Sequence, residues 1–180
     1  AATRARVRDA IRSLGYTPNR VASSMATGRT RSIGMIVPDI SYPFFPEIVL
    51  GAETAARQAG YNLILCNTAE DDDQERRVLA FLHEARVDGV ILAGARLPDA
   101  ELLAALAVHR CCVSINHPVP PVVGGNVRSD HLRGAGLAVD HLVQSGRRVI
   151  AYMAGPPRVY AAGERLRGFE QAMAAAGLAV

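Results

Sequence analysis

Four short apolar runs constrain this chain more than any other feature: SIGMIV at 32–37, NLILC at 62–66, GVILA at 89–93 and CCVSI at 111–115. Each is bounded by Pro, Gly, Asp or Asn, as expected of strands buried on both faces. Longer stretches with helical spacing separate them. PFFPEIVLGAETAARQAG has apolar residues at 44, 45, 48, 49, 52, 55, 56 and 59 and closes at Gly60. DDDQERRVLAFLHEARV begins acidic, as a first helical turn prefers, and turns Val78, Leu82 and Ala85 inward. PDAELLAALAVHR has Pro near its start. After the loop HPVPPVVGG come a short extended NVRSD, a helix from about His131 to Ser145, a further strand RVIAYMAG, and a last helix, AAGERLRGFEQAMAAAG. Strand and helix alternate, so the expected class is α/β, with a parallel sheet covered by helices on both faces. Ligands of such sheets sit beyond the carboxyl ends of the strands. The loops to watch are therefore Pro38–Phe45, Asn67–Asp72, Ala93–Pro98, Asn116–Pro118, Ser129–Arg133 and Gly155–Arg165.

The first 31 residues have another character. TRARVRDAIRSL puts Val7, Ala10, Ile11 and Leu14 on one helical face, with Arg largely on the other. Gly15 stops that helix, Thr17-Pro18 forms a turn, and Asn19 can cap a new helix from about Arg20 to Ala26, ending near Gly28. This second helix has about two turns, below the ~12–15 residues at which isolated helices become marginal in water, so it is conditional on a partner. Residues 1–32 hold seven Arg against one Asp, or +6 of a total of +3, which leaves the body at −3. A basic arm on a mildly acidic body suits a polyanion, and a solvated basic helix fits the same charges.

Catalytic patterns are missing. No G-x-G-x-x-G follows a strand, and there is no P-loop, H-E-x-x-H or G-x-S-x-G. The consecutive Ser129-Asp130-His131 cannot line up as a triad, and the five His lack ligand spacing, so neither an enzyme nor a metal or cofactor is expected. Cys66, Cys111 and Cys112 lie in apolar runs and read as small buried hydrophobes of a reducing, cytoplasmic protein. No apolar run approaches the ~20 residues of a membrane span, and no signal-peptide pattern opens the chain.

Three features suit binding instead, each with a plainer alternative. In SYPFFPE, Phe44 and Phe45 either pack inside or offer faces on which a sugar or base stacks. Arg165 lies between Ala162 and Phe169 on the apolar side of the last helix, so it needs either a structural carboxylate or a ligand. NRVASSMATG is either a linker packed on the domain or a helix formed on DNA. In the second case Met25 is a wedge between base steps, small Ala22 and Ala26 allow close approach, and Asn19, Arg20, Arg29 and Arg31 meet phosphates and groove edges.

Taken in order, R-x-x-V-x-x-A-I-x-x-L-G-Y-x-P-N at Arg4–Asn19, the segment at 20–28, GRTRSIGMIVPDISYPFF, GYNLILCNT, RVDGVIL at 86–92, HLVQSGRRVIAYMAGP and AGERLRGF resemble the lactose/galactose-repressor (LacI/GalR) family of bacterial transcription regulators over essentially the whole chain. The resemblance implies a helix-turn-helix headpiece, a hinge helix and a two-subdomain core like that of periplasmic sugar-binding proteins. Residues 1–18 would be the end of the headpiece, 19–31 the hinge helix and linker, and 32–180 the first core subdomain. The earlier headpiece helices and the second subdomain would lie outside this chain. The implied partners are double-stranded operator DNA, a sugar-like effector and a second copy of the chain, with no membrane. The implied DNA-binding residues are Asn19, Arg20, Val21, Ala22, Met25, Ala26, Arg29 and Arg31. Those for the effector are Tyr42, Phe44, Phe45, Ile48, Asp130 and Arg165, while Asn116-His117 stands where the family commonly has Asp-Arg. A sugar-binding protein of the same fold without DNA function is the alternative.

Overall fold

The computed structural model describes residues 2–15, 24–25, 27–121 and 123–180. Helix α1 (Ala2–Ser13) comes first. Strand β1 (Ser32–Val37) leads through α2 (Phe44–Gln58) to β2 (Asn62–Asn67), and α3 (Asp72–Glu84) leads to β3 (Gly89–Ala93). Helix α4 (Asp99–Ala107), β4 (Cys112–Ile115) and β5 (Gly124–Val127) follow, then α5 (His131–Gln144) and α6 (Tyr160–Ala175). The five strands form one parallel sheet in the order β2-β1-β3-β4-β5.

Alternation along the strands divides the core. Met35, Val37 and Ala93 face α2, where Phe45, Ile48, Val49 and Ala52 cover them. Ile36, Val90 and Leu92 face the other side, against Val78, Leu79 and Leu82 of α3 and Leu102 and Leu106 of α4. The inward face of α3 thus uses Leu79; Ala85, expected inward, is exposed at the helix end. Asp71 starts α3 by accepting a hydrogen bond from Gln74 N at 2.6 Å, as a cap should. Strands β4 and β5 approach so closely at Gly124 that a side chain there would overlap the Cys112 carbonyl.

Two further expectations fail. The stretch RVIAYMAG is not a strand: residues 147–155 carry no regular structure. A parallel strand needs a neighbour to take its hydrogen bonds, and this segment follows a helix that leaves the sheet. Helices α5 and α6 pack mainly on each other and share a separate core of Val139, Phe169, Ala172 and Met173. Ile150 and Tyr152 pack against that core, Tyr152 stacked on Phe169 at 4.9 Å. Val149 and Met153, one residue off, are 97% and 95% exposed. The alternation of a strand is present without its pairing. The cysteines also differ from expectation, since Cys112 is buried and Cys66 half-buried, but Cys111 is exposed because it precedes β4. Burial pushes the Cys112 thiol up to about 11.

Candidate functional site

The crossovers change sides between β1 and β3, which is where a doubly wound sheet opens a crevice. A cavity of about 640 Å³ lies there, at the carboxyl ends of the strands. The loop after β1 contributes Pro38, Tyr42, Phe44 and Phe45. Its path is fixed by Asp39 Oδ1 accepting from Ser41 N at 2.8 Å and by Asn67 Oδ1 accepting from Ile40 N at 2.8 Å. The first of these bonds holds the Asp39 carboxyl below its ordinary range. The two Phe rings meet edge to face at 5.2 Å and divide the two readings between them. Phe45 packs on the core of Met35, Val37 and Ala93, while Phe44 is 50% exposed and offers an open ring.

The loop after β3 brings Gly94 and Arg96, and the end of β4 brings Ile115 and Asn116. Arg96 is anchored: its amide donates to Glu75 Oε2 at 2.8 Å, and its guanidinium donates to Glu70 Oε1 at 2.8 Å. Glu75, on the inner side of α3, is buried, and desolvation raises its pKa despite these bonds. Asn116 has φ of 55°, a left-handed conformation that Asn tolerates. It accepts from Ser129 N at 2.9 Å and so ties the loop before α5 to β4. His117 turns away into the protein, buried, with Nε2 3.3 Å from Asp99 Oδ1.

The remaining wall comes from the helix pair: His131 of α5, then Val159, Ala161 and Arg165 at the start of α6. Arg158 holds this end over the sheet through Asp72 of α3 at 2.8 Å, and Arg128 donates to the Tyr160 hydroxyl at 3.3 Å. Of the expected effector residues, the structure brings Tyr42, Phe44, Phe45 and Arg165 together. Ile48 lies in the core beneath α2. Asp130 caps α5, accepting from Arg133 N at 3.0 Å, and lines a neighbouring cavity of about 430 Å³. Arg165, expected on the apolar side of its helix, is exposed, because the helix turns it from the Val139–Phe169 core toward the open cleft. It makes no ion pair or hydrogen bond among the described residues. Arg96 and His131 went unrecognised as individuals, although their loops were marked by the strand-end rule. Among the described residues no group of His, Cys, Asp or Glu is arranged to hold a metal ion.

The family model for periplasmic binding proteins and the sugar-binding domain of the LacI family matches residues 30–180. The chain belongs to this family. It is 38% identical over 179 residues to the HTH-type transcriptional regulator RegA of Clostridium saccharobutylicum, covering 99% of this chain and 54% of the relative. It is 38% identical over 169 residues to the ribose operon repressor of Halalkalibacterium halodurans, covering 92% and 49%. Among solved structures, a periplasmic binding protein/LacI transcriptional regulator from Alkaliphilus metalliredigens, complexed with D-xylulofuranose, superimposes with a TM-score of 0.68 at 29% identity, over 83% of this chain and 54% of that one. The chain spans about half the length of the curated relatives it matches.

At the opposite end of the sheet, the segment joining the basic arm to this family domain is docked on the strand starts. Thr30 Oγ1 donates to Arg86 O at 3.0 Å, and Arg31 N donates to Asp88 Oδ2 at 2.9 Å. Arg110 Nη1 donates to Gly28 O at 2.9 Å. Arg29 and Arg31 keep exposed side chains, and Met25 is 82% exposed. The DNA-binding expectations for Asn19, Arg20, Val21, Ala22 and Ala26 lie outside the described residues. On the apolar side of helix α1 Val7 is exposed and Ile11 half-buried, and Leu14, just past the helix, is exposed. No helix of the described residues is long and apolar enough to cross a membrane.

Proposed function

We propose that this chain is the hinge and effector-sensing part of a DNA-binding transcription regulator, a repressor whose operator affinity responds to a sugar or related metabolite in the cleft. The observation that carries this reading is the placement of two features at opposite ends of the same strands. The cleft opens beyond the carboxyl ends of β1 and β3, and the arginine-bearing linker is bonded to Arg86 and Asp88 at the start of β3. A ligand that changes how α6 sits over the sheet then alters the frame from which the linker departs, as a coupling free energy requires. Met25 with Arg29 and Arg31 would meet the operator, and Tyr42, Phe44, Phe45 and Arg165 the effector. Ile48 supports Phe45, and Asp130 fixes the start of α5. Homodimer pairing in the cytoplasm completes the proposal.

The domain division belongs to it too: 1–18 as headpiece and 19–31 as hinge and linker. Residues 32–180 are the first subdomain of the effector-binding core, its sheet body and its α5–α6 pair each having a core cluster. The names of the relatives, two transcriptional regulators and an operon repressor, support the regulator reading over a sugar-binding protein without DNA function. The test is binding of the chain to random duplex DNA across a salt titration. Salt-sensitive binding that disappears when residues 1–31 are deleted supports the regulator. Absence of binding even at low salt sinks it and leaves the binding module.

A further inference from the structure

We infer that a second site, apart from the cleft, binds a phosphate group: the cavity of about 470 Å³ between the linker and the end of α2, lined by Arg29, Arg31 and Arg57. It lies at the amino ends of β1 and β2, the opposite end of the sheet from the cleft. Two of the arginines come with the linker, but Arg57 belongs to the folded body, in the last turn of α2. The phosphate can come from the backbone of a DNA duplex, which rests on the regulator reading, or from solution, which does not. Either source presents phosphate oxygens to guanidinium forks.

Arg31 is aimed by its backbone. It holds φ of 53°, a left-handed conformation that a residue with a Cβ rarely takes. Two bonds keep it there: its amide donates to Asp88 Oδ2 at 2.9 Å, and its carbonyl accepts from Asn62 N at 2.9 Å. The side chain reaches back over Gly60, where an added Cβ would meet Arg31 Nη1 at 3.6 Å. The plainer role there is to cap α2. That end is already closed, since Ala59 N, Gly60 N and Tyr61 N donate to the carbonyls of Ala55, Arg57 and Ala56. Arg29 and Arg31 have exposed side chains, and neither guanidinium makes a hydrogen bond or ion pair among the described residues.

The acids nearby do not cancel this charge. Arg57 Nε donates to Glu53 Oε1 at 3.2 Å, but this is an (i, i+4) surface pair with the arginine side chain 68% exposed, and such pairs contribute little. Both Nη groups of Arg57 are left unbonded among the described residues. Asp88 spends Oδ2 on the Arg31 amide, and its Oδ1 lies 4.0 Å from Arg110. Four arginines thus stand against two carboxylates. Three like charges around one open space favour an anion between them.

The experiment makes two measurements on the chain. In the first, binding to random duplex DNA is followed across a salt titration. Arg57→Gln should lower the slope of log affinity against log salt by about one, the signature of one lost phosphate contact. Arg77→Gln makes the same charge change on α3, outside the cavity, and should leave the slope alone. Glu53→Gln, which removes the surface pair and keeps Arg57, should leave it alone too. In the second, inorganic phosphate is titrated against the chain at constant ionic strength, with chloride as the control, and read by amide NMR. The Gly60, Tyr61 and Asn62 amides should shift in the unsubstituted chain and not in Arg57→Gln. A slope change confined to Arg57→Gln supports the site with DNA as the source. Phosphate shifts that depend on Arg57 support it with free phosphate as the source. No Arg57-dependent change in either measurement overturns the inference, and a slope that falls equally in Arg77→Gln or Glu53→Gln counts as none. The regulator reading survives that result as long as deleting residues 1–31 abolishes DNA binding. If no DNA is bound even at low salt, that reading falls, and the phosphate titration alone upholds or overturns the site. Arg57 and Arg77 have exposed side chains, so their variants retain the fold, checked by circular dichroism.

Discussion

Residues 32–37, SIGMIV, and residues 148–153, RVIAYM, have nearly the same sequence character and opposite fates. The first is an interior strand of the sheet, bonded to β2 on one side and β3 on the other, with Met35, Ile36 and Val37 buried. The second keeps a strand's alternation, Ile150 and Tyr152 in and Val149 and Met153 out, but pairs with no strand among the described residues. An apolar run states a demand for burial. Whether it is met depends on the neighbours that supply hydrogen bonds and the opposite face, and those lie elsewhere in the chain.

The most forceful way to break this comparison is a matched pair of truncations. Ile36→Ala removes a 2%-exposed side chain from between the sheet and α3, and should cost about 2–5 kcal/mol. Val149→Ala, in the corresponding run, should stay within about 0.5 kcal/mol, as surface changes do. Urea denaturation followed by circular dichroism measures both. Equal losses would mean that residues 147–155 are covered in solution.

A smaller effect tests whether the helix pair stands on its own core. At Gly168, α6 crosses α5 so closely that a side chain would overlap the Leu132 carbonyl. The obstacle is backbone and cannot swing aside, so Gly168→Ala should cost about 1–3 kcal/mol. Hydrogen exchange locates the damage: amides of α5 and α6 should lose protection while those of β1 and β3 keep it. Loss in all four elements would join the two regions into one cooperative unit.

How much of this was legible from sequence follows the same division. The runs at 32, 62, 89 and 112 became strands because each is short, apolar and bounded by turn residues, and the helices between them supply the crossovers. The cleft was legible as a set of loops, since a parallel sheet fixes which strand ends face a ligand. Arg165 and Phe44 were singled out by type and place, and both line the cavity. What escaped depends on contacts between distant residues. Glu75 reads as one more acid in DDDQE, yet it is buried under the Arg96 amide. The exposure of Arg165 depends on how α6 is rotated over α5, and the fate of RVIAYMAG on a partner no local pattern names.

The smallest expected effect uses one histidine from each region. His109, beside His83 at a ring distance of 5.7 Å, has its pKa lowered first by burial and then by that neighbour. His131 is lowered first by burial and then by Arg165. In both, the folded state binds a proton less readily than the unfolded chain, whose imidazole titrates near 6.5. As pH falls below that value the unfolded chain takes up protons first, so stability is complete above it and declines until the folded-state pKa is passed. Asp39 and Glu101, whose carboxyls are held low, lose their contribution only at more acidic pH, so the two windows separate. His109→Asn should flatten the decline just below 6.5 for the sheet body, and His131→Asn should do so for the helix pair, read by exchange at α5 and α6. If His109→Asn flattens the curve for both regions equally, the body and the pair unfold together, and the contrast between their cores is one of packing and not of stability.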